Sequence, residues 1–76
     1  MRTIELPDGR TLSTSSVKRW HVVTDSHGRL ARWVSSESRT RALSAWRASR
    51  RNGIAAWLYD LDRGTVERDP DSTVIA

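Results

Sequence analysis

Apolar positions recur every second residue over most of this chain, and every third or fourth residue over one central stretch. The opening RTIELPDGRTLS sets Ile4 and Leu6 two apart, breaks at Pro7-Asp8-Gly9 and resumes at Thr11-Leu12. This predicts a short hairpin, because strand side chains alternate sides and Pro, Asp and Gly favour turns. Residues 14–16 read as a polar connector. VKRWHVVTD, SHGR and LARWVS then predict a second hairpin, since β-branched and aromatic residues suit strands and Gly28 supplies the turn. Trp20, Val22 and Thr24 share one side of its first strand. On the return strand both sides carry a large apolar residue. The tryptophans are expected to decide between them, so that Trp20 with Val22 and Trp33 with Ala31 face the helix.

The helical repeat begins after Ser35-Ser36-Glu37-Ser38, whose hydroxyls can cap a helix start and whose Glu37 suits its positive end. Ala42, Trp46 and Ser49 line up, flanked by Leu43 and Ala45. Arg50 and Arg51 fall in the last turn, and Asn52-Gly53 signals the end. A helix over about 37–52 follows. IAAWLYDLDRGTVER next predicts two strands around a turn at Asp62-Arg63-Gly64, with Ala55, Trp57, Tyr59 and Leu61 on one side. The pattern as a whole implies one α+β domain over residues 1–68, with 69–76 a frayed, acidic, Pro-containing tail. Its architecture is a small antiparallel sheet built from two or three hairpins, with the helix packed on one face. The four tryptophans, at 20, 33, 46 and 57, are expected to build one core. The second sheet face is expected to stay open, which leaves room for a homodimer or an exposed aromatic.

Composition narrows the class. Seventy-six residues make a single small domain, whose core is marginal at this size. There is no Cys, which excludes disulfides and thiolate zinc sites and fits a reducing compartment. No apolar run approaches the ~20 residues of a membrane span, so a soluble, cytoplasmic protein without membrane contact is expected. Basic residues number 13 against 9 acidic ones, a net charge of +4. All the basic residues but Lys18 are Arg, a bias that GC-rich coding produces as readily as selection for guanidinium chemistry. Residues 17–53 carry nine basic against two acidic residues, net +7, and residues 54–76 carry two against five, net −3. That asymmetry points to a polyanionic partner, or to attraction between the two parts of the chain.

Candidate chemistry is sparse. The spacing His21-x3-Asp25-x-His27 has metal-ligand residue types, but a mid-strand and a hairpin-tip histidine should not converge. No metal and no cofactor are expected. The serines lack a nucleophile elbow, and the isolated glycines form no phosphate loop. Asp60 and Asp62 share a strand side, where Arg63 or solvent is expected to relieve their repulsion. The chain therefore reads as a non-enzyme. Arg47, Arg50 and Arg51 form one helical ridge, Arg39 and Arg50 flank Trp46, and Lys18, Arg19, Arg29 and Arg32 sit on the second hairpin. If helix and hairpin share a side, Arg47, Arg50, Arg51, Lys18, Arg19, Arg29 and Arg32 could neutralise several phosphates of DNA or RNA. The first reading is a small regulatory protein that binds nucleic acid through this surface. The second is an accessory module that engages a host or cellular protein with an acidic surface.

With one helix the chain lacks a helix-turn-helix, and no ribonucleoprotein aromatic motif is present. The segments VVTDSHGRLARW, SRTRALSAW and LYDLDRGTVE resemble the hairpin, helix and hairpin of small accessory proteins from GC-rich actinobacteria and their phages. The resemblance covers roughly residues 17–68 and implies a short accessory or regulatory gene product. It carries over no functional residue.

Overall fold

A computed structural model describes residues 2–67 and Pro70 of the chain. Its elements are β1 (Arg2–Glu5), β2 (Thr11–Thr14), β3 (Trp20–Ser26), β4 (Arg29–Ser36), α1 (Arg39–Arg51), β5 (Ala55–Asp60) and β6 (Thr65–Val66). Strands β1 and β2 pair as a separate hairpin, and the remaining four form an antiparallel sheet in the order β4-β3-β5-β6. Both β4 and β5 run antiparallel to β3, so they run parallel to each other across it. Helix α1 makes the crossover between them, and this lays it over one sheet face. The expected α+β fold is the one observed; the expected tail, 69–76, lies outside the described residues apart from Pro70.

Local chemistry accounts for the element boundaries. His27 and Gly28 both take positive φ, 53° and 82°, which gives the β3–β4 hairpin a tight turn of the kind matching strand twist. The Asp25 carboxylate accepts the Gly28 N–H at 2.9 Å and secures that turn. Helix α1 starts at Ser38, whose hydroxyl accepts the Arg41 N–H. It ends at Asn52, beyond which Gly53 has φ of 74°.

The core consists of two clusters, one on each face of the central sheet. On the helix side Trp20, Val22, Ala56 and Leu58 pack under Ala42 and Leu43, with Val34, Ala45 and Trp46 at the margin. On the other side Val23, Tyr59 and Leu61 pack against Ile4 and Leu6, with Leu12, Leu30, Trp57 and Val66 around them. Two expectations are corrected here. The tryptophans do not share one core, because Trp57 belongs to the second cluster and Trp33 to neither. Nor is the second sheet face open: the β1–β2 hairpin covers it, so an open face gives no ground for a homodimer. A two-stranded hairpin is marginal alone. This one is held by its apolar side and by cross-layer contacts. Arg10 meets Asp25 at 2.9 Å and lies over the Trp57 ring at 5.6 Å, and Arg32 donates to the Thr14 hydroxyl.

Candidate nucleic-acid interface

Trp33 is 66% exposed, which corrects the expectation that it is part of the core, although with Ala31 it lies on the helix side of the sheet as expected. The β4 backbone supplies the reason. Val22 of β3 pairs with Val34, whereas the next residue, Val23, pairs with Arg32, so Trp33 is an extra residue in β4. A bulge of this kind re-aims a side chain. Val34 takes the inward position against the core under α1. Ala31, Trp33's expected companion, is exposed as well.

The displaced indole borders a groove of about 330 Å³ between β4 and the last turns of α1. Thr24, Ser26 and Ala31 line it from the hairpin, Ala48 and Asn52 from the helix. A shallower stretch continues from Ala48 toward the helix start, past Ala45, Ser44 and Arg41 beside Val34. The groove exists because α1 turns small residues toward the bulged edge, at helical spacing. It is an apolar trough with polar atoms at one end. Asn52 donates its amide to the Ala48 carbonyl at 3.0 Å, which leaves its own carbonyl oxygen as an acceptor.

The basic residues divide between the ends and faces of the molecule. Arg29 pairs across the hairpin with Ser26, at the end where α1 also finishes, so Arg29, Arg50 and Arg51 come to the same end. Arg51 is exposed, and Arg50 lies over the Trp46 ring at 5.6 Å. Arg47 is exposed one turn earlier and is not a free cation. Lys18 and Arg19 precede β3 at the opposite end, roughly 20 Å away along a seven-residue strand. Arg32 points to the hairpin side of the sheet, where it meets Thr14. The seven predicted residues therefore do not form one surface. Arg41, which sequence reasoning set apart, borders the groove.

The carboxylates explain this division. Arg19 makes a two-pronged contact with Asp60, both distances 3.0 Å, and reaches Asp62 at 3.6 Å. Asp60 is only 3% exposed, and it also accepts the backbone N–H of Asp62. The hydrogen bonds from Arg19 hold its carboxyl below the ordinary carboxylate range, against the opposing pull of burial. Arg19, which sequence reasoning did not name, thus does most to relieve the Asp60–Asp62 repulsion; the expected Arg63 adds a longer ion pair to Asp60 at 3.9 Å, and Asp62 is largely exposed to solvent. Arg39 binds Glu67 with two prongs at 3.1 and 2.8 Å. It lies over Trp20 at 5.8 Å, not over Trp46 as its helical position suggested, and Arg19 lies over Trp20 at 5.0 Å. Arg10 takes Asp8 and Asp25. Among the described residues Lys18, Arg29, Arg32, Arg41, Arg50 and Arg51 have no carboxylate partner.

The histidine spacing assembles nothing. His21 is buried, its Nε2–H donating to the Lys18 carbonyl at 2.7 Å and its Nδ1 accepting from the Ser35 hydroxyl at 3.0 Å. Burial pushes its pKa below the ordinary 6.5, so the neutral ring is the folded form. Asp25 is held by Arg10 and the hairpin turn. Among the described residues no helix is long and apolar enough to cross a membrane. No protein-family model, curated protein or solved structure matches this chain.

The residues that sequence reasoning missed are Trp33, Arg41 and Asn52. One local signal was available for Trp33. Consecutive Trp33 and Val34 cannot both turn inward from a regular strand, and a bulge is the common resolution.

Proposed function

We propose that this protein is a small, non-catalytic, cytoplasmic regulator that binds nucleic acid. Its contact surface comprises the exposed face of α1 and the bulged β4 edge, with Arg29, Arg41 and Arg51 as the phosphate-binding groups. The observation that carries this reading is the segregation of charge. Asp8, Asp25, Asp60, Asp62 and Glu67 are taken up by Arg10, Arg19 and Arg39. Arg29, Arg41 and Arg51 keep guanidinium groups without carboxylate partners among the described residues, and Arg41 borders the groove that continues from Trp33 along α1. Guanidinium groups suit phosphate because their donors form a fork that matches its oxygens.

Fluorescence anisotropy with labelled DNA and RNA at low salt tests the reading. Binding should weaken linearly with the logarithm of salt concentration, and Arg29→Ala with Arg51→Ala should reduce that slope by about one for each phosphate no longer neutralised. Absence of binding at low salt overturns it. Exposed Trp33 and Val17 favour a second reading, an accessory module that docks on a protein. That reading requires a partner retained after nuclease treatment and after charge reversal at Arg29 and Arg51.

A further inference from the structure

Resting on that reading, we infer that the groove between α1 and β4 is a slot for an unpaired base, with Trp33 as its stacking platform. The ligand class is single-stranded DNA or RNA in preference to duplex. Four observations converge on it. First, a marginal core of this size would gain from burying an indole, yet the bulge gives the inward position to Val34 and leaves Trp33 66% exposed. Second, the groove beside it is about 330 Å³, at the small end of the roughly 300–1,000 Å³ of small-molecule sites, which suits one planar heterocycle.

Third, the slot has an apolar body and a polar end. Ala31 and Ala48 provide walls, while the Asn52 carbonyl oxygen and the Ser26 hydroxyl, which has no partner among the described residues, can meet the edge of a base. Fourth, the residues around it are complementary to a polyanion. Arg29 is the cross-strand partner of Ser26, Arg51 precedes Asn52, and Arg41 borders the continuing groove. None of the three has a carboxylate partner among the described residues.

Single strands follow from geometry. Bases in a duplex are stacked on each other and offer only their edges, whereas an unpaired base offers a π-face to an aromatic ring. Helix α1 is also seated on the sheet through Ala42 and Leu43, so its groove-side flank can reach a strand lying along β4.

The test compares the full chain with Trp33→Ala, Trp33→Phe and Ala48→Leu, titrating labelled oligothymidylate, oligouridylate and a mixed-sequence duplex. Circular dichroism and thermal melts first establish that each variant is folded. Trp33→Ala should lower single-strand affinity roughly tenfold, the scale of one base–aromatic stack, and leave duplex affinity within about twofold. Trp33→Phe should recover most of the loss, and Ala48→Leu, which fills the slot from the helix side, should reproduce it. Equal effects of Trp33→Ala on single strand and duplex, or no effect on either, overturn the base slot and leave the basic surface standing. Failure of the unaltered chain to bind any of the three probes removes the nucleic-acid reading itself. Retention of a protein partner that depends on Trp33 and survives nuclease overturns the slot in favour of protein docking.

Discussion

Single residues decide how this small domain distributes its charges. Asp60 is a buried carboxylate that survives ionised because Arg19 donates two hydrogen bonds to it and the following turn donates more. Its folded pKa is depressed, so its stabilising contribution is present above the ordinary 3.8 and is lost as pH falls through the folded value. His21 is also depressed, from 6.5, so the unfolded chain binds that proton more readily and stability begins to decline below 6.5. Thermal melts across a pH series should therefore show two acid steps. Asp60→Asn should flatten the lower step and keep the upper one; an unchanged lower step would place the acid sensitivity elsewhere. At neutral pH, Arg19→Ala should lower the melting temperature more than Asp60→Asn, because it leaves a buried carboxylate without its main partner.

At the scale of elements, α1 and β4 handle two tryptophans in opposite ways. Trp46 lies over the core on α1 and ties the helix to β5, its indole N–H donating to the Ala56 carbonyl at 3.0 Å. Trp33 sits on an edge strand as the extra residue of a bulge, exposed at the rim of the groove beside α1. Chemical denaturation should separate them clearly. Trp46→Ala is expected to cost about 3 kcal/mol, at the lower end of large-to-small core changes because the ring is only partly buried. Trp33→Ala is expected to stay within about 0.5 kcal/mol, as exposed positions do. Comparable destabilisation at both sites would mean that Trp33 carries packing the exposed position does not explain.

The whole molecule is a three-layer stack: helix, four-stranded sheet and two-stranded hairpin. Each outer layer is too small to be stable alone, and each buries one face of the sheet, so the two apolar clusters are linked through β3 and β5. Ile4, fully buried on the far side from the helix, probes this coupling. Ile4→Ala should lower the unfolding free energy by about 2–5 kcal/mol, in a single transition followed equally by hairpin and helix signals. Separate transitions would show that the hairpin melts independently. The same stacking distributes charge: Arg10 pins the hairpin to β3, and Arg19 and Arg39 close the end near Trp20. At the groove edge Arg41 has no carboxylate partner among the described residues.

The elements and their order were legible along the chain. Turns at Pro7-Asp8-Gly9, His27-Gly28 and Asp62-Arg63-Gly64, and the Ser38 and Asn52-Gly53 ends of α1, are set by backbone chemistry that acts over a few residues. The alternation of Trp57, Tyr59 and Leu61 was legible for the same reason. Which faces were covered emerged with the packing of the layers, because that depends on residues far apart in the chain. The first hairpin gave no sign of lying across β3 and β5, and the pairing of Arg19 with Asp60 spans two distant strands. Trp33 was the sharpest case. Its size argued for burial, but the register of β4 against β3 placed Val34 inward, and one extra residue turned the expected core tryptophan into the exposed wall of a groove.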